Sequence, residues 1–322
     1  MTKVVEQIED FGLSKKHRSK TLFSKIGIVG CGKVGQNIAR IAAVNGIEVV
    51  FIEVSLEKIS EAKSRIENEL NKRIDNWGLT PGEKKAILSR INGSTDYTDL
   101  SECDFVIEAI REQTEGLRIE SRKEVFKEIE KHVSKECIIA TNSTTIAITE
   151  LASELEYKER CVSLHFFVQS AEAKVCEVVK SLYTTEEVYQ SVISFVHLLN
   201  RVVVSASESA GLVSVRLYCI LLNEACETLM EGVSDIPDID KTMKVGFGMR
   251  FGPFELADVL GIDKIERYME NLYTEFGKVK YKPSPLIKKL SRAKRYGITT
   301  LHGFYRYDEN GVIIKDDYFF KS

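Results

Sequence analysis

The sequence predicts an α/β protein: a mostly parallel sheet covered by helices on both faces, followed by an all-helical second domain. Two observations carry this. Short apolar runs alternate with helix-period segments from Lys25 to Ala206, and such alternation implies parallel strands joined by helical crossovers. Beyond Ser205 the strand pattern stops and helical periodicity takes over. A length of 322 residues fits two domains at roughly 100–200 residues each.

Taken in order, KIGIVG (25–30) is an apolar strand ending in glycine, and QNIARIAAVNG is a helix stopped at Gly46. EVVFIE (48–53) is the second strand. A long amphipathic helix follows from Leu56 to Trp77, with Ile59, Ala62, Ile66, Leu70 and Ile74 on its apolar stripe. After a turn at Pro81-Gly82 comes another helical stretch, then the buried strand FVIEAI (105–110). RKEVFKEIEKHV is a helix, CIIATN a strand, ITELASEL a helix, CVSLHFF and VCEVVK strands, TEEVYQSVISFVHLLN a helix and RVVVSA the last strand. In the second domain, residues 209–232 are apolar nearly all round, which predicts a buried helix. More helices follow, punctuated by glycine and proline, and the tail GFYRYDENGVIIKDDYFF allows a small hairpin around Asn310-Gly311. The organisation is an extension over 1–24, a sheet domain over 25–205 and a helical domain over 206–322.

Composition excludes several classes. With 45 lysines and arginines against 48 acids and a pI near 6.1, the chain has no overall electrostatic footprint for nucleic acid. No apolar run approaches the roughly 20 residues needed to cross a bilayer. Seven scattered cysteines contain no C-x-x-C pair, so zinc or other metal ligation has no spacing to stand on. Most lie in apolar runs, the usage of a reducing cytosol, and a cytoplasmic location is expected. The N-terminus lacks an apolar h-region and carries Glu6, Glu9 and Asp10, unlike a secretory or transit peptide.

Gly30-Cys31-Gly32-Lys33-Val34-Gly35 is a G-x-G-x-x-G that ends one strand and opens one helix. In that context the first glycine allows a tight turn, the second lets backbone approach a pyrophosphate, and the third lets helix and strand pack closely. The helix N-terminus offers unpaired N–H groups to the phosphates. Glu53, 18 residues past Gly35, closes the second strand where an acid accepts hydrogen bonds from a ribose diol. A carboxylate there repels a 2′-phosphate, so NAD is favoured over NADP.

Through TNSTTI, SLHFF, KVCEVV, EGVSDIPDID and KVGFGMRFGPFELADVLGID, the chain resembles the 3-hydroxyacyl-CoA dehydrogenase family from about Lys25 to Tyr305. The resemblance implies a Rossmann-type domain followed by a helical domain that dimerises, and hydride transfer from C3 of a hydroxyacyl thioester to NAD. It places the catalytic histidine at His165 and the glutamate that orients it at Glu177. Such a pair suits the chemistry: neutral imidazole takes the hydroxyl proton, and a carboxylate on its other nitrogen fixes the tautomer. His17, His132, His197 and His302 are taken as structural. Thr144 falls where the family has a serine bonded to the substrate oxygen, with Asn142 before it. Glu112 and Arg122 match positions near the nicotinamide-side ribose.

The departures lie on the substrate side. The family's asparagine after its histidine is Val168, within VQSAEA, and a second-domain asparagine is Val215. Positions that meet CoA become Glu69 and Asn76, and a C-terminal basic pair becomes Ile298-Thr299. Three readings follow: a dehydrogenase of a thioester carried by CoA or an acyl carrier protein, a dehydrogenase of a free hydroxy or amino acid, or a non-catalytic NAD-binding protein. A homodimer through the second domain is expected, because the helix over 209–230 has more apolar surface than a small domain buries alone.

Overall fold

Runs of four to six residues, most of them apolar, form the strands of one eight-stranded sheet: β1 (Lys25–Val29), β2 (Glu48–Ile52), β3 (Ile91–Ser94), β4 (Phe105–Glu108), β5 (Ile138–Thr141), β6 (Cys161–Phe166), β7 (Val175–Lys180) and β8 (Val202–Ala206). Their order is β3-β2-β1-β4-β5-β6-β7-β8. The pairs β1–β2, β1–β4, β2–β3, β4–β5 and β5–β6 are parallel. The order reverses between β1 and β4, the switch point at which doubly wound sheets bind dinucleotides. This computed structural model describes residues 23–75, 78–110, 118–167 and 174–319. Most of the expected extension, along with Asn76, Glu112 and Val168, lies outside the described residues.

The chain forms two compact units. The first takes the sequence up to Asn142, with Leu151–Phe166 and Lys180–Val203. Its helices are α1 (Lys33–Val44), α2 (Leu56–Asp75), α3 (Pro81–Leu88), α4 (Arg118–His132) and α6 (Glu186–Leu198), while α5 (Ile148–Ala152) runs from the second unit into the first. Helix α1 buries Ile38, Ala39, Ile41, Ala42 and Ala43 on one side. Phe105 stacks on Phe195 at 4.4 Å between ring centres, with Phe23 edge-on to both, so the start of the described chain is pinned in the core. The strand β3 is not apparent from sequence periodicity. Its segment INGS reads as a turn, yet it pairs with β2 from Val49↔Ile91 to Ile52↔Ser94.

The second unit comprises Ser143–Glu150, Phe167–Val179 and Val204 onward. Ser143–Glu150 belongs to it through the bonds Gly211 N to Thr144 O (2.6 Å), Asn271 Nδ2 to Thr145 Oγ1 (3.0 Å) and Thr149 N to Glu208 Oε1 (2.7 Å). Its helices are α7 (Ser214–Met230), α8 (Ile236–Lys241), α9 (Pro253–Leu260), α10 (Ile262–Phe276) and α11 (Pro285–Arg292). The segment after α7 closes with the hairpin β9 (Tyr305–Tyr307) and β10 (Ile313–Tyr318). Helix α7 is not buried all round: Val215, Cys219, Leu222, Ala225 and Cys226 face the core, while Leu217 is 65% exposed.

Two buried aspartates tie this unit together. Asp240 accepts from Phe254 N (2.8 Å) and Glu255 N (2.9 Å), capping α9 from outside, and from the Tyr305 hydroxyl (2.9 Å). Asp258 accepts from Phe304 N and Tyr305 N (both 2.9 Å) and the Tyr307 hydroxyl (3.0 Å). The GPFELAD segment is therefore a scaffold that fastens the terminal hairpin. Burial raises both carboxyls, Asp240 to about 6 and Asp258 to about 7.

Candidate active site

Parallel register places the chemistry at one edge of the first unit. Val29 lies beside Ile52 and Glu108, Glu108 beside Thr141, and Thr141 beside Ser163. The glycine turn, Glu53, Asn142 and His165 thus leave the carboxyl ends of successive strands, where open α/β sheets bind ligands. Gly30 has φ +89, and a Cβ on it would lie 2.9 Å from the Ile110 backbone. A Cβ on Gly35 would lie 2.2 Å from the Gly30 carbonyl. Gly32 instead faces open space and caps α1 without a side chain. That leaves the turn of Cys31, Lys33 and Val34 with an open cradle at the N-terminus of α1, which fits a pyrophosphate. Glu53 Oε1 accepts from Cys31 N at 2.6 Å, so the second-strand acid lies directly against the turn.

Glu108, which the sequence reading missed, gathers a polar cluster with the expected Arg122 at the end of β4. Glu108, fully buried, accepts from Ile110 N (2.7 Å) and the Thr141 hydroxyl (2.7 Å) and pairs with Arg122. Arg122 also donates to the Ile110 carbonyl at 2.8 Å. Its guanidinium therefore braces the backbone beneath Gly30. An acid at the end of an apolar strand, FVIE, is the signal that could have found it. Asn142 Oδ1 accepts from Phe166 N at 3.1 Å, fastening the strand next to His165, which is 5% exposed.

In the second unit, Thr144 is 5% exposed and its carbonyl holds Gly211 N. Glu177 on β7 is 1% exposed. Its Oε1 accepts from Val213 N (3.1 Å) and Ser214 N (2.9 Å), and its Oε2 from the Ser214 hydroxyl (2.8 Å). Helix α7 has no capping side chain of its own, so Glu177 performs that service, favoured by the helix dipole. Val215 is the next residue, 8% exposed. Of the departures, Glu69 pairs with Lys72 at 2.9 Å, and Ile298-Thr299 lies in a short 3-10 turn.

Residues 25–209 match the 3-hydroxyacyl-CoA dehydrogenase NAD binding domain, and residues 211–307 match the 3-hydroxyacyl-CoA dehydrogenase C-terminal domain. The chain belongs to the 3-hydroxyacyl-CoA dehydrogenase family. Among relatives of this dehydrogenase-family chain, a probable 3-hydroxybutyryl-CoA dehydrogenase of Deinococcus radiodurans is 34% identical over 88% of this chain and all of its own. The 3-hydroxybutyryl-CoA dehydrogenase of Clostridioides difficile is 32% identical over the same shares. A crystal structure of (S)-3-hydroxybutyryl-CoA dehydrogenase from Ralstonia eutropha superposes with a TM-score of 0.80 at 33% identity, covering 89% of this chain and 100% of that one. The cofactor of this chain is NAD, and the open cradle at Gly32 beside Glu53 accommodates one.

Proposed function

We propose that the protein oxidises the 3-hydroxyl of a hydroxyacyl thioester to the 3-oxo form, or catalyses the reverse, with His165 as general base. The observation that carries this reading is His165 on β6, two residues past the Thr141↔Ser163 pairing, on the strand edge that carries the glycine turn. NAD supplies the hydride acceptor. The C3 hydride leaves as the hydroxyl proton passes to the imidazole and the C3 carbonyl forms. Glu177 holds the histidine tautomer and balances the imidazolium. The Thr144 hydroxyl meets the substrate oxygen, and Glu53 receives the adenosine ribose. Arg122 acts from beneath, through Glu108 and Ile110. Glu112 is assigned to the nicotinamide-side ribose on the motif alone.

CoA and an acyl carrier protein are the two carriers considered, and the apolar Val215 marks an altered substrate contact. We assign a homodimer through α7, whose Val213 (44%), Leu217 (65%) and Met230 (42%) are exposed. The cytoplasm is the proposed location: the seven cysteines are free and buried, and burial pushes the thiols of Cys103, Cys161, Cys219 and Cys226 up to about 12. Among the described residues no helix is long and apolar enough to cross a membrane.

The test is NADH formation against CoA thioesters, carrier-protein thioesters and free hydroxy acids. His165→Ala is expected to abolish turnover of any accepted substrate and leave NAD affinity intact. Turnover of free hydroxy acids alone would replace the thioester reading. A protein that binds NAD, oxidises nothing and is indistinguishable from His165→Ala would be a binding protein. Glu53→Ala is expected to weaken NAD binding and narrow the preference over NADP, measured by titration. Tighter NADP than NAD binding in the unaltered protein would refute the assignment of Glu53.

A further inference from the structure

From Phe276 to Tyr307 the chain carries nine lysines and arginines and no acid, although acids outnumber these bases 48 to 45 in the whole sequence. Several surface lysines elsewhere are matched: Lys58 with Glu61, Lys72 with Glu69, Lys84 with Glu67, Lys131 with Glu128, Lys180 with Glu186. In this stretch Lys288 reaches Glu270 and Arg306 reaches Asp317. The exposed Lys278, Lys280, Lys282, Arg292 and Lys294 have no ion-pair partner among the described residues.

These charges stand on a fixed base. Asn223 Nδ2 donates to the carbonyls of Lys280 (2.9 Å) and Lys282 (3.0 Å), and its Oδ1 accepts from Ser284 N (3.1 Å). Between the lysines, Tyr281 is 1% exposed and its hydroxyl accepts from Arg216 Nε at 3.1 Å. Val279, 75% exposed, stands apolar between two cations. Helix α11, anchored by Leu286, Ile287 and Leu290, separates Lys282 from Arg292 and Lys294. Its eight residues span about 12 Å at 1.5 Å per residue. Unpaired cations on so rigid a ridge, spread over that length, suit a negatively charged macromolecular face better than one phosphate.

We propose that this ridge of the second unit docks an acidic acyl carrier protein, which delivers the hydroxyacyl thioester on its phosphopantetheine arm. The inference rests on the thioester reading above and names the carrier. Complementary charge steers encounter and fixes orientation, and it is screened by salt. Nucleic acid is disfavoured because the thioester substrate of this family gives a carrier protein a reason to visit, and a polynucleotide none.

The test uses the full-length enzyme with 3-hydroxybutyryl-CoA and with 3-hydroxybutyryl loaded on a purified acyl carrier protein. In the triple variant Lys278→Glu, Lys280→Glu, Lys282→Glu, KM for the carrier substrate is expected to rise about tenfold or more at low salt. KM for the CoA substrate stays unchanged, and high salt erases the difference between variant and parent. A carrier KM indifferent to both substitution and salt, with CoA oxidised normally, overturns the docking surface and leaves the thioester reading standing. So does salt-sensitive binding of duplex DNA that the triple variant loses, without carrier turnover. If neither thioester is oxidised, the thioester reading fails and the docking surface with it.

Discussion

At the scale of single residues, Glu177 shows what a sequence withholds. The family resemblance named it as the partner of His165, an assignment that stays a proposal. Its surroundings were not legible: the donors that hold it come from Val213 and Ser214, 36 and 37 positions away, and no local pattern reports such an encounter. Oε1 takes two backbone N–H groups and Oε2 the Ser214 hydroxyl, so under the role proposed for Glu177 that hydroxyl fixes the orientation of the carboxylate. Ser214 is accordingly a positioning residue. Removing one hydrogen bond to a charged group costs about 1.5–3 kcal/mol when nothing replaces it. Ser214→Ala is expected to lower kcat about tenfold, somewhat less than that full cost implies because two amides remain. KM for NAD should not move, and Ser214→Thr should restore most of the rate. A loss of thermal stability with kcat unchanged would reduce Ser214 to a helix cap.

Secondary-structure elements were legible where one period dominates. The β1–α1–β2 unit declares itself through its apolar spacing and glycine turn. The strand β3 does not, because its Gly93 answers to packing: a Cβ there would lie 2.5 Å from Ile59 Cγ2 and 2.6 Å from Phe51 Cζ. Helix α9 illustrates the same limit from the other side. Its cap, Asp240, lies on a separate helix, and its own Asp258 fastens the hairpin strand β9. Both carboxyls are raised by burial, to about 6 and about 7, above the roughly 3.9 of an unfolded chain. A raised acid favours the folded state while protonated. Its contribution is complete below about pH 4 and is lost as pH rises through the folded value. The melting transition of the second unit should therefore fall between pH 5 and pH 8. Asp258→Asn puts an amide donor against one of the two backbone N–H groups, so it should lower stability at both pH values and flatten that slope. An equal slope in parent and variant, followed by calorimetry, would remove Asp258 from the account.

For the molecule as a whole, the alternation of strand and helix followed by helices alone was enough to foresee the two-part architecture. Interleaving of the units was not foreseeable, since it depends on bonds such as Gly211 N to Thr144 O. Helix α7 was foreseen as wholly buried, yet one chain covers only one of its sides. Val213 and Leu217 are a helical turn apart on the other side, with the half-buried Leu221 continuing the stripe. An exposed apolar stripe of this kind marks an interface, and a second copy of the same face is its simplest complement under two-fold symmetry. Light scattering at micromolar concentration should then return twice the chain mass of 36.4 kDa. Leu217→Glu places a charge at the centre of the stripe without touching the core of its own chain, so the variant should fold and scatter as a monomer. A parent protein of 36.4 kDa would exclude the dimer. A Leu217→Glu variant that stays dimeric would move the interface off α7.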